Sequence, residues 1–187
     1  LDSLAVFPVV HALTFLFICL WLFFQEVVIA LVGDSHDNYL PLRNFALVLA
    51  VAASLGLGLI TFTPLSQVWF MTVSGLSPEL AAFSNLPARI LTLIPALWVL
   101  LSFQRGILVN EAKTGPITQG TVAQVLTIIL VLGVTVHVLE WVGIVSAALA
   151  LLCGGLVSCA YLFPWFLWVR NRNRQEAAST HPNTATC

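Results

Sequence analysis

Five apolar stretches, each close to or above the length needed to cross a bilayer, fill most of this chain. A spanning helix takes about 20 mainly apolar residues at about 1.5 Å of rise each. The sequence therefore predicts crossings over Ser3–Val32, Leu42–Phe62, Leu86–Leu108, Val122–Leu139 and Val142–Val169. These runs are continuously apolar, whereas barrel strands alternate over about 10 residues, so an all-α polytopic transmembrane bundle of about five spanning helices is expected. With 59% hydrophobic and only 8% charged residues, polar groups are too few to cover a water-exposed surface, and the bilayer is the expected partner for residues 1–169.

The few charges give an orientation. Six of the seven Lys and Arg residues, namely Arg43, Arg105, Lys113, Arg170, Arg172 and Arg174, fall on one side if the stretches cross in turn. The positive-inside rule makes that side cytoplasmic, with the C-terminus on it, and the expected location is the plasma (inner) membrane. Asp2, Glu79 and Glu140 fall at or near the outer face, and Arg89 alone breaks the pattern. Topology accounts for the basic residues and the net charge is −1, so no nucleic-acid partner is expected. The chain starts at Leu1, already inside an apolar run with no charged leader head, and it reads as a piece of a longer protein.

Between Pro64 and Pro78, apolar Trp69, Phe70 and Met71 are mixed with Ser66, Gln67, Thr72 and Ser74, which predicts a short helix in the outer interface with Trp69 at headgroup level. In the last run, Gly143, Ala147, Ala150, Gly154 and Ser158 form a small-residue stripe that lets another helix approach closely. Residues 170–187 are polar, rich in Asn and Thr and without hydrophobic period, and are expected to be a disordered cytoplasmic tail.

Nothing in the sequence points to a cofactor or to enzyme chemistry. Cys19, Cys153, Cys159 and Cys187 have no metal-ligand spacing, and Cys187 lacks the following residues of a prenylation box. Asp34, His36 and Asp37 read as solvated loop residues rather than ligands. His11 and His137 read as helix-end hydrogen-bonding groups, with His137 and Glu140 spaced to pair. There is no nucleophile elbow, no HExxH and no pair of membrane aspartates.

Charges inside apolar runs are the sharper signal, because burying one costs several kcal/mol and such residues tend to face a cavity. Glu26, near the cytoplasmic end of the first run, is either an interfacial carboxylate or a proton or cation site. Arg89, near the outer end of the third, either snorkels to the interface or presents a permanent cation to an anionic substrate. The third crossing also carries Pro87 and Pro95, which weaken it at two places, and Pro8 predicts a kink near the outer end of the first. Carbonyls freed at such breaks must face protein or a water-filled cavity.

The order Pro87-x-Arg89-Ile90, Pro95, Gly106-x-Leu108 and Lys113-Thr114, followed by Gly143 after a short turn between two further helices, resembles the C-terminal half of a MATE-type transporter. MATE-type transporters belong to the multidrug, oligosaccharidyl-lipid and polysaccharide exporter superfamily, and the spacing is most similar to its progressive-ankylosis branch. The resemblance runs from about Leu1 to Tyr161 and implies most of a second lobe, with a missing N-terminal lobe as its partner. It further implies alternating access around a central cavity, with Glu26 and Arg89 as candidates for the path of a small-molecule substrate such as an organic anion or amphiphile. A flippase for lipid-linked precursors shares this architecture, and a non-transporting membrane scaffold is the alternative from another class.

Overall fold

The computed structural model describes residues 2–32, 39–137 and 143–180, and every element among them is helical. Helix α1 spans Asp2–Val32 and α2 spans Tyr39–Phe62. A short α3, Leu65–Gln67, runs into a wider π-helical turn over Val68–Val73. Then come α4, Pro78–Ile90, a 3₁₀ turn at Leu91–Leu93, and α5, Ile94–Asn110. Helices α6, Thr114–His137, and α7, Gly143–Thr180, are the last described elements. Five segments are long and apolar enough to cross a membrane: Val6–Leu31, Tyr39–Phe62, Pro78–Asn110, Thr114–His137 and Gly143–Arg172. The fold is an all-α polytopic bundle.

The third crossing starts at Pro78 rather than Leu86 because its N-terminus is well capped. The Ser77 hydroxyl accepts from the Leu80 amide, Pro78 occupies the first helical turn, and Glu79 complements the positive end of the helix dipole. At its other end the Lys113 amide donates to the Leu108 carbonyl across Ala112, whose φ of 55° turns the chain into α6.

Two buried clusters reveal the path of the chain. Phe24 and Val28, late in α1, pack with Leu42 and Ala46, early in α2, and with Ile107 and Phe166. Val6 and Val10, early in α1, pack with Leu57, late in α2, and with Ala81 and Ile144, early in α4 and α7. Such level-matching requires α1, the α4–α5 pair and α7 to run one way and α2 the other. Helix α6 runs against α7, since Gly120 meets Leu162 and Gly154 meets Ile128. Arg43, Arg105, Lys113, Arg170 and Arg172 thus gather towards one end of the bundle, called here the basic end.

The small-residue stripe is used within the chain. A Cβ on Gly154 would stand 2.7 Å from Ile128 Cγ1 and 3.1 Å from the Gln124 carbonyl oxygen, so α7 can approach α6 this closely only as glycine. The segment after α2 is pinned at the far end by Phe70, which is fully buried, while Trp69 is half-buried beside it.

Helix α7 continues past Val169 to Thr180, beyond the point where the sequence suggests disorder. Arg172 pairs with Glu111 and lies 5.3 Å from the Trp168 ring centre, which ties the first extra turn to α5. The following Arg174, Gln175, Glu176, Ala177 and Ala178 are good helix formers. Residues 181–187 lie outside the described residues.

Candidate functional site

The most distinctive local structure is the interruption of the third crossing. Pro95 lacks an amide hydrogen and cannot satisfy the Leu91 carbonyl in an α-helical pattern, so the chain tightens into the 3₁₀ turn Leu91–Leu93 before α5 begins. Buried Pro87 lies inside α4, which carries on to Ile90, and exposed Pro8 lies inside α1, which continues through it.

Helix α2 supplies the polar groups that the interruption needs. The Ala96 amide, in the first turn of α5, donates to Ser54 Oγ at 3.2 Å. Thr92 Oγ1, donating to the Ala88 carbonyl at 3.3 Å, lies 3.2 Å from Thr61 Oγ1. Gly58 makes room between these two α2 hydroxyls: a Cβ there would stand 3.3 Å from the Thr92 methyl. On the other side, the Cys159 thiol of α7 lies 3.7 Å from the Leu97 carbonyl oxygen.

No protein-family model, no curated protein and no solved structure matches this chain.

Glu26 and Arg89 do not come together. Helix α1 is parallel to α5 with Val28 level with Gly106, so Glu26 lies near the level of Gln104. Arg89 is then about 22 Å away along the bundle, at 1.5 Å per residue. Both side chains are exposed on the outside of these helices. Arg89 places its guanidinium carbon 5.2 Å from the ring centre of exposed Phe62, an arrangement that suits an arginine at the membrane boundary.

The cation that does turn inward is Arg105, which the sequence presents only as a marker of orientation. It is half-buried between α5, α6 and α7, with Nη2 3.5 Å from both Thr121 Oγ1 and Gln124 Oε1. Both bonds are long, and its buried Nε has no hydrogen-bond partner among the described residues. Ser102 and Ser158 are fully enclosed with unpartnered hydroxyls on the same two helices, α5 and α7. One turn along, the Tyr161 hydroxyl donates to Gln119 Oε1 at 2.6 Å. The signal that was available in the sequence is the polar spacing of α6, where Gln119, Thr121 and Gln124 interrupt an apolar run opposite a basic residue.

Among the described residues no three His, Cys, Asp or Glu side chains gather as metal ligands, and Cys19, Cys153 and Cys159 are free thiols. His11 is exposed beside Phe7 and Phe15, with ring centres 5.7 and 6.3 Å away. Asp34, His36, Asp37 and Glu140, and hence the expected His137–Glu140 pairing, lie outside the described residues.

Proposed function

We propose that the chain is a helical lobe of a membrane carrier, a secondary active exporter of the MATE-like superfamily that moves its solute by alternating access. The observation that carries this reading is the interrupted third crossing, whose Ala96 amide is held by a side-chain hydroxyl of α2 rather than by its own helix. A joint held in part by side chains of neighbouring helices bends at lower cost than an unbroken helix, and interrupted crossings satisfied in this way are typical of lobes that work by alternating access. The two buried clusters support the same reading, because they lie on either side of that joint and leave each half of the bundle with a packed core of its own.

An organic anion or amphiphile is the substrate class. Arg105 supports it as an inward-turned, permanently charged cation with an unused donor. Glu26 and Arg89 contribute to the path where a second lobe covers their exposed faces. The distribution of Arg and Lys supports a cytoplasmic basic end, as expected for a plasma or inner membrane protein of this class.

The test is efflux from proteoliposomes carrying the full-length protein, with radiolabelled citrate as the anionic probe and ethidium as the cationic amphiphile. Gradient-dependent movement of either is expected, and Pro95→Ala should slow it by about tenfold or more while the protein stays folded, because a restored amide stiffens the joint. Movement of neither probe overturns the carrier reading, and unchanged rates in Pro95→Ala overturn the role of the joint. Arg89→Ala should also lower the rate; equal activity assigns that arginine to anchoring alone.

A further inference from the structure

A second polar feature at the basic end has no part in the joint. Helices α2, α5 and α7 enclose a half-open cavity of about 180 Å³. Its floor is a triad of rings, Tyr39, Phe103 and Phe166, with centres 5.8 to 6.4 Å apart. Arg43 of α2 and Arg170 of α7 line it at the level where their helices leave the apolar span, and no described carboxylate lines it. Among the described residues Arg43 bonds only its neighbour Asn44, at 3.3 Å, and the buried Nε of Arg170 has no partner. Gln104 is the deepest polar group: it is 8% exposed, and its Oε1, which has no donor among the described residues, needs a hydroxyl or amide hydrogen. Leu47, Leu100 and Phe163 carry the lining out onto the exposed, lipid-facing surface.

Each of these groups asks for a different part of one molecule. Two guanidiniums at the membrane boundary with no described carboxylate partner call for a phosphate, and guanidinium binds phosphate in a two-pronged geometry. The N-terminus of α2, which begins at Tyr39 with no acidic residue in its first turn, adds positive potential on the same side. The orphaned Gln104 oxygen calls for a donor such as a headgroup hydroxyl, and the apolar exit calls for an acyl chain running down the bundle. We propose that this cavity binds the headgroup of an anionic, hydroxyl-bearing phospholipid, with the phosphodiester on Arg43 and Arg170, a headgroup hydroxyl donating to Gln104, and an acyl chain along Leu47, Leu100 and Phe163. Basic pockets between helices near a membrane surface have the right chemistry for this. The site is independent of transport: a protein that moves no solute would still hold the lipid.

The experiment is native mass spectrometry of the full chain released from detergent, titrated with phosphatidylglycerol, with phosphatidylcholine of the same acyl chains, and with soluble glycerol 3-phosphate. One phosphatidylglycerol is expected to bind at least tenfold more tightly than phosphatidylcholine. Arg43→Gln and Arg170→Gln should each weaken it by about fivefold, and by about 30-fold together. Lys113→Gln, which removes a charge at the same end but outside the cavity, should leave it unchanged. Leu100→Trp, which keeps both charges and fills the acyl exit, should also weaken it, and the thermal transition of each variant checks that it is folded. Equal binding of the two lipids overturns the proposal, as would an equal loss in Lys113→Gln, which reports general surface charge. Displacement of phosphatidylglycerol by equimolar glycerol 3-phosphate also overturns it, because the cavity would then be a site for a small soluble anion.

Discussion

Gly106 shows how much of the packing rests on one absent side chain. A Cβ at that position would stand 2.5 Å from Val28 Cγ1 and 2.9 Å from Val28 Cβ, and the latter cannot move without the backbone of α1. Gly106→Ala should therefore push α1 from α5 and lower stability by about 1 to 3 kcal/mol, the usual range for overpacking a filled core. Adding Val28→Ala should recover part of that loss, which thermal unfolding of the two variants in one detergent would show; a harmless Gly106→Ala means the two helices have room to spare. This contact is silent in the sequence, where Gly106 is one small residue after a charged one. Arg105 was hidden for a related reason: its charge is local information, but its half-burial depends on Thr121 and Gln124 of α6 and on α7. Residue identity fixes what a group can do, and only the arrangement of distant helices decides whether it faces lipid, water or protein.

At the scale of elements the sequence is far more telling, because crossing a bilayer is a property of a segment by itself. Apolar length alone locates all five spans, and Pro95 marks where the third one changes character. The helix that carries that span begins eight residues ahead of the expected crossing, at Pro78 against Leu86, since capping by Ser77 extends it through residues of modest hydropathy. What proline content cannot reveal is the partner: Ser54, a solitary hydroxyl in an apolar run, completes α5 from another helix. Ser54→Ala should leave the Ala96 amide without an acceptor, at a cost of about 1 to 3 kcal/mol. The measurable consequence is local, with faster hydrogen exchange at the first amides of α5 while those of α6 keep their rates. Uniformly unchanged exchange would mean that water replaces the hydroxyl without loss.

For the whole molecule, the uneven distribution of contacts matters more than their number. Helices α1, α2, α4, α5 and α7 share the two buried clusters, to which α6 contributes no fully buried apolar side chain. Helix α6 instead leans on α7 through Gly120 and Gly154 and on α5 through Arg105, while Val122, Leu126, Ile129 and Leu130 face outwards. Gly154→Leu should accordingly loosen α6 selectively. Its amides would exchange faster and the Tyr161–Gln119 bond would be lost, yet Leu13, Leu57 and their neighbours would stay packed. A single cooperative collapse of all spans in that variant would show that α6 is integral to the cores after all.

A helix attached almost entirely through its successor has implications for how the protein is made. Emerging from the ribosome ahead of α7, it offers the earlier spans almost no surface to grip, so it must wait in the lipid until its successor arrives. The last two segments would then enter the finished protein as a prefolded hairpin, with the glycine seam between them formed before either meets the rest.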